Sequence, residues 1–187
     1  LTRVNIPFVK WGGLQFMETA HLKDCLAYLR AGANVKDRIS LLRILRMVEG
    51  IGEKTAAKIC QWISEQTDPV AAIAKAEAPK KAKEGLSRLA DVLSYVRREN
   101  VGPTAAAERV VECYLPTLRE RYPEDCAMRE RDLEQFLAVS SRFKTLQQLL
   151  SELALDPVTE SVARAEQTFE DEAPLVLSTI HSAKGQE

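Results

Sequence analysis

Apolar residues recur along most of this chain at helical spacing. In residues 18–30, Leu22, Cys25, Leu26 and Leu29 fall on one stripe, which predicts an amphipathic helix. After a polar break at 34–37, Ile39, Leu42, Leu45 and Val48 form a second stripe that ends at Glu49-Gly50. Ala56, Ile59 and Ile63 open a third directly after Gly52. Asp68-Pro69 is a helix-start signal, with Asp as cap and Pro at the first helical position. The Ala/Lys-rich residues 71–83 favour helix but are broken at Pro79 and end near Gly85, so a frayed segment is expected there. Leu86, Leu89, Leu93 and Val96 predict another helix, stopped by Asn100 and Gly102-Pro103. Residues 104–121 place Val110, Val111, Tyr114, Leu115 and Leu118 on one face, and Pro116 is expected to kink or divide that helix. Leu133, Phe136, Leu137 and Ser140 follow. Leu146, Leu149, Leu150 and Leu153 read as a core stripe rather than a partner groove, and Asp156-Pro157 opens a last short helix.

The two ends break the helical pattern. Residues 4–9 are apolar, interrupted by Pro7 and followed by Gly12-Gly13, as in a strand at a sheet edge leading into a turn. Residues 175–180 are mostly apolar and rich in strand-favouring residues, the profile of a buried strand. The expected fold is mainly α: a helical domain inserted into an α/β domain of which only the seams are present. The expected boundaries are 1–30, 31–172 and 173–187, with no internal repeat. A start at Leu1 without Met and a stop at Glu187 directly after a small, polar run suggest that both ends are cut from something longer.

Composition narrows the function classes. Across 187 residues, 26 Lys+Arg balance 27 Asp+Glu to a net charge of -1, which excludes a histone-like polycation but not a local basic patch. No apolar run approaches the ~20 residues that cross a bilayer. Cys25, Cys60, Cys113 and Cys126 are scattered without a C-x-x-C pair, so neither a metal site nor a disulfide framework is expected, and a reducing cytoplasm is the simplest compartment.

The most informative local pattern is Leu45-Arg46-Met47-Val48-Glu49-Gly50-Ile51-Gly52-Glu53-Lys54-Thr55-Ala56-Ala57-Lys58-Ile59. A helix end, a Gly-Ile-Gly turn and a second helix make a helix-hairpin-helix-like element. Glycine lets the backbone turn sharply and approach a phosphate without a Cβ in the way. The second helix then presents its free N–H groups and positive dipole end to that anion. Lys54 and Thr55 would add a charge-assisted and a hydroxyl contact, while Glu53 opposes them. Such contacts read the backbone and not the bases. The plainer alternative is a helix corner in which Gly50 is only a C-cap. Gly52-Glu53-Lys54-Thr55 is not a Walker A loop, because Glu53 stands where that motif needs Gly, and a helix rather than a strand precedes it.

At the other end, Leu177-Ser178-Thr179-Ile180-His181-Ser182-Ala183-Lys184-Gly185-Gln186-Glu187 runs from a strand into small, polar and basic residues, a common place for a ligand in an α/β sheet. Thr179-x-His181-Ser182-Ala183-Lys184-Gly185-x-Glu187 resembles helicase motif V of UvrD/Rep/PcrA-type superfamily 1 helicases. Ile6-Pro7-Phe8, Gly12-Gly13-Leu14-Gln15-Phe16-Met17-Glu18 and Leu22-Lys23-Asp24-Cys25-Leu26-Ala27-Tyr28-Leu29-Arg30 resemble the segment leading into the 2B subdomain of the same family. Gly50-Ile51-Gly52 resembles its duplex-contacting hairpin, and Arg131-Asp132-Leu133-Glu134-Gln135-Phe136 a stretch late in 2B. Residues 71–130 resemble it only in being helical.

The resemblance implies a parent that is a bacterial, cytoplasmic, ATP-dependent DNA helicase of 3′-to-5′ polarity, using ATP and Mg²⁺. This chain would be its 2B subdomain with flanking edges of the RecA-like 2A domain, partnered by domains 1A, 1B and the rest of 2A and by a single-strand/double-strand DNA junction. Carried over by position, Thr179 and His181 would touch single-stranded DNA, Gly185 and Glu187 would lie at the nucleotide, and Lys184 would couple the two. Gly50, Ile51, Gly52, Lys54 and Thr55 would contact the duplex. Without Walker motifs the chain alone should be catalytically inactive. Gln186 replaces an apolar residue of the family pattern. Thr19 and His21 stand where it favours Arg and Glu, and His21 reads as a polar residue on an exposed helix face.

The alternative function is a stand-alone helix-hairpin-helix DNA-binding module without ATPase activity. It explains Gly50-Ile51-Gly52 but not the histidine-containing C-terminal motif. Lys80-Lys81-x-Lys83 is either a solvated charge run or an accessory DNA patch. Trp11 and Trp62 sit in apolar contexts where packing is the default.

Overall fold

The computed structural model describes residues 8–11, 19–154 and 175–178. They are mainly helical: α1 (Ala20–Ala33), α2 (Arg38–Leu45), α3 (Glu53–Ser64), α4 (Pro69–Lys75), α5 (Lys83–Val96), α6 (Pro103–Arg121), α7 (Cys126–Ser140) and α8 (Leu146–Glu152), with strands β1 (Phe8–Trp11) and β2 (Leu175–Ser178). Contacts divide the chain into two units, Leu1–Thr19 with Ser151–Glu187, and Ala20–Leu150. In the first, β1 pairs with β2 in parallel, Phe8 opposite Leu175 and Trp11 opposite Ser178. A parallel pair requires a crossover connection, and along the chain that connection contains the whole helical unit.

The helical unit is built around α1. The sequence pattern shows one stripe on this helix, but Leu22, Cys25, Leu26, Ala27, Tyr28, Leu29 and Ala31 are all buried. α2, α5 and α6 pack on it from several sides. For the same reason α1 groups by its contacts with the helical unit, Ala20–Leu150. Gly32 allows α5 to approach closely, since a Cβ there would lie 2.5 Å from Val96 Cγ1.

Aspartates cap two of the helices, at Asp68 where the sequence predicts a helix start and at Asp37. Asp37 caps α2 by accepting from the Ser40 amide at 3.1 Å and its hydroxyl at 2.7 Å. Asp68 caps α4 through the Ala71 amide at 3.2 Å, with Pro69 in the first turn. The segment expected to fray is packed instead: Ala72, Ile73, Ala76 and Ala82 are buried, and α5 runs through Gly85 without stopping. A 3-10 turn, Lys80–Ala82, leads into α5. Pro116 does not divide α6, which is continuous. The lost N–H is tolerated at an exposed position because Tyr114 and Leu118, on either side of it, are fully buried and hold both turns. In α8 Leu146 and Leu149 are buried, as a core stripe should be. The helix expected at Asp156-Pro157 lies outside the described residues.

His21 is not on an exposed face. It is 1% exposed, held between Asp132 Oδ2 at 3.0 Å and Arg129 Nη1 at 2.9 Å, both from α7. Asp132 belongs to the stretch Arg131-Asp132-Leu133-Glu134-Gln135-Phe136, whose Leu133 and Phe136 enter the core. Arg129 also stacks on Tyr122, 3.9 Å from the ring centre, and donates to Asp125 at 3.2 Å. Trp62, expected to pack, is 37% exposed on α3.

Candidate nucleic-acid interface at the Gly50–Gly52 corner

α2 is anchored before the corner begins. Arg43 donates to Asp24 Oδ1 at 2.6 Å and to the Ala20 carbonyl at 3.1 Å, tying the last turn of α2 to α1. Beyond Leu45 the chain tightens: Met47 N–H bonds to Ile44 O at 3.1 Å, Val48 N–H to Leu45 O at 3.1 Å, and Ile51 N–H to Val48 O at 3.1 Å. Gly50 reverses direction at φ +80, a left-handed conformation that costs an L-residue about 1–2 kcal/mol. Ile51 then inserts its side chain into the core, 5% exposed, and pins the turn.

Gly52 is different. Its φ of -87 and ψ of 176 are open to any residue, and a Cβ there would meet nothing within 4 Å. It is the residue before α3, where Ser, Thr or Asp would normally cap the first amides. No side chain caps α3. The Ala56 amide returns to Gly52 O at 2.9 Å. Among the described residues, the amides of Glu53, Lys54 and Thr55 have no acceptor. Gly52, Glu53 and Lys54 are exposed and Thr55 is half-buried.

The corner therefore presents three open N–H groups at the positive end of a 12-residue helix. Behind them α3 buries Ala56, Ile59, Cys60 and Ile63, which fixes the axis of the helix against the core. Exposed Lys54 and, one turn on, Lys58 add positive charge, against Glu49 and Glu53. Open amides at a helix N-terminus are groups to which an anion can bind through main-chain contacts. The structure thus brings together Gly50, Ile51, Gly52, Lys54 and Thr55. Ile51 contributes through the fold, as a buried anchor. Thr179, His181, Lys184, Gly185 and Glu187 lie outside the described residues.

Sequence reasoning found the corner but missed two features. One is that its glycines do different work, Gly50 for the turn and Gly52 for open space. The other is that Gly102 at the start of α6 shares that openness, with φ -71, ψ 164 and nothing within 4 Å of an added Cβ. There, however, Pro103 fills the first helical position and has no N–H to offer.

Among the described residues no helix is long and apolar enough to cross a membrane. The whole chain is similar to ATP-dependent DNA helicase PcrA of Bacillus subtilis, 27% identical over 210 residues, covering 100% of this chain and 27% of that protein. It is similar to ATP-dependent DNA helicase UvrD1 of Mycobacterium bovis, 28% identical, covering 100% of this chain and 28% of the relative. DNA helicase II of Salmonella typhimurium is 26% identical, with 100% and 28% covered. The chain thus spans little more than a quarter of the length of the curated relatives it matches. A family model for the UvrD-like helicase C-terminal domain matches residues 1–187, and the chain belongs to that family.

Proposed function

We propose that this chain works as part of an ATP-dependent DNA helicase of 3′-to-5′ polarity, and that its Gly50-Ile51-Gly52 corner grips the duplex ahead of the unwinding junction. Family membership supports the general reading, since relatives of this chain are named ATP-dependent DNA helicases. The observation that carries the local reading is Gly52. The fold has no steric or conformational need for glycine there, and a capping side chain would consume the amides that glycine leaves open. Phosphodiester oxygens fit those amides, Lys54 adds a charge-assisted contact and Thr55 a hydroxyl. Main-chain contacts of this kind make binding indifferent to base sequence and sensitive to salt.

On this reading the helical unit is the 2B-like subdomain, its hairpin a helix-hairpin-helix element, and the strands belong to a RecA-like 2A domain. The motif resemblance assigns Thr179 and His181 to the single strand, Gly185 and Glu187 to the nucleotide, with Glu187 at the ribose, and Lys184 to the coupling between them. ATP hydrolysis supplies the free energy for movement along DNA, and its Walker lysine and Mg²⁺ ligands would come from other domains. Residues 1–187 alone should bind duplex weakly and hydrolyse no ATP.

The test is Gly52→Asp combined with Lys54→Glu. Duplex affinity should fall while the melting temperature stays within about 2 °C, as for a surface change. Unchanged affinity would overturn the corner. ATPase activity of residues 1–187 that disappears on Glu187→Ala would overturn the division of labour with other domains.

A further inference from the structure

The run Lys80-Lys81-x-Lys83 separates into different roles. Lys83 Nζ donates to Ala76 O at 3.0 Å beyond the end of α4. Lys80 stands exposed at the start of the 3-10 turn. Lys81 reaches the glycine corner. A Cβ on Gly50 would lie 2.6 Å from Lys81 Cε, 2.9 Å from Cγ and 3.2 Å from Cδ, so the lysine stem lies flat across the bare Gly50 backbone. Its ammonium sits 3.6 Å from Glu49 Oε1, with the two side chains 60% and 80% exposed.

The fold fixes this position. Ala82, next to Lys81, is fully buried. Gly85 in the first turn of α5 admits Val48 from the corner, since a Cβ there would lie 2.6 Å from Val48 Cγ1. The corner and the start of α5 interlock at two glycines, Lys81 crossing Gly50 and Val48 crossing Gly85. An ion pair this exposed contributes little to stability. A phosphate competes well for the same ammonium, because binding it also releases condensed counterions.

We propose that Lys81 is a further cationic contact of the duplex interface: Glu49 holds its ammonium over Gly50 in the free protein, and a backbone phosphate arriving at the corner takes it over. This role rests on the duplex reading above and adds to it a residue from a different element. Gly50 and Gly52 are two residues apart, at most about 7 Å. The ammonium and the open amides of α3 can therefore serve one phosphate or its neighbour on the strand.

The experiment compares Lys81→Met, which keeps the stem over Gly50 and removes the charge, with Lys81→Arg, which keeps both, and with Glu49→Gln. Affinity of the intact protein for a short, blunt, fluorescently labelled DNA duplex is measured between about 50 and 200 mM salt. Lys81→Met should weaken binding roughly three- to tenfold at low salt and lower the log–log salt slope by about 0.9. Lys81→Arg should restore both. Glu49→Gln should tighten binding, and that gain should vanish in the Lys81→Met background, a coupling that mere coverage of the turn would not produce. Parental affinity and slope for Lys81→Met, while Gly52→Asp with Lys54→Glu weakens binding, would overturn the role of Lys81 and leave the corner standing. If neither change weakens binding, the corner falls and this contact with it.

Discussion

Tyr114 donates its phenolic O–H to Asp24 Oδ2 at 2.7 Å, joining α6 to α1 across 90 residues of chain. Both side chains are buried, and Arg43 holds the other carboxylate oxygen. Burial, then the bonded carboxylate, pushes the phenol well above its ordinary range. Tyr114→Phe leaves the ring in place but strands one buried oxygen of Asp24. We predict a loss of about 1–3 kcal/mol in urea unfolding; a smaller loss would show that water reaches Asp24.

His21 should make stability depend on pH. Its Nδ1 accepts from Arg129, which leaves the ring proton on Nε2 facing Asp132. Burial pushes this imidazole below its ordinary 6.5; Arg129 acts in the same direction, and Asp132 and Asp24 act against it. Below about pH 6.5 the unfolded chain therefore binds more protons at this residue than the folded one. The contribution is complete above that value and is lost as pH falls through the folded pKa. The melting-temperature difference between the parent and His21→Gln should shrink on going from about pH 7.5 to 5.5. A constant difference would remove the linkage.

The two corner glycines should separate in mutagenesis. Gly50→Ala puts a Cβ on a φ of +80, and although Lys81 can move aside, the backbone strain remains. It should cost about 1–2 kcal/mol. Gly52→Ser should leave stability within about 0.5 kcal/mol, because its hydroxyl can cap α3. The same hydroxyl takes an amide from the phosphate, so duplex binding should weaken in a protein that melts normally.

Gly102 supplies a control. Val101 N–H bonds to Arg98 O at 3.1 Å, as Ile51 does to Val48, but Pro103 leaves the α6 corner one amide short. Gly102→Ser should stabilise slightly, by a few tenths of a kcal/mol, with duplex affinity unchanged. Equal weakening from Gly102→Ser and Gly52→Ser would point to a general effect on the fold.

Thiol reactivity should follow burial. Burial pushes the Cys60 thiol up to about 11 and Cys25 higher still. At pH 8 only about a thousandth of Cys60 is thiolate. Iodoacetamide should label half-buried Cys113 and Cys126 first and reach Cys25 and Cys60 only on unfolding, as read by peptide mass spectrometry.

What the sequence revealed depended on how local the cause was. The cap at Asp68 and the turn at Gly50 arise from neighbouring residues, so they could be read directly. His21 could not, because Arg129 and Asp132 shield it from another helix. Gly85 and Pro116 look like breakers by local rule, yet Val48 packs over the first and Tyr114 and Leu118 hold the second. At the corner, turn chemistry marked the glycines, whereas the lysine crossing Gly50 comes from a separate element.

The register of Phe8 with Leu175 also has a consequence for biosynthesis. The two strands are neighbours in the sheet, but at ~5–20 residues per second the ribosome finishes the second roughly ten to thirty seconds after the first. During that interval β1 waits for β2, while the helices between them can pack on one another. Nascent chains should thus acquire their helical core before the β1–β2 pair forms.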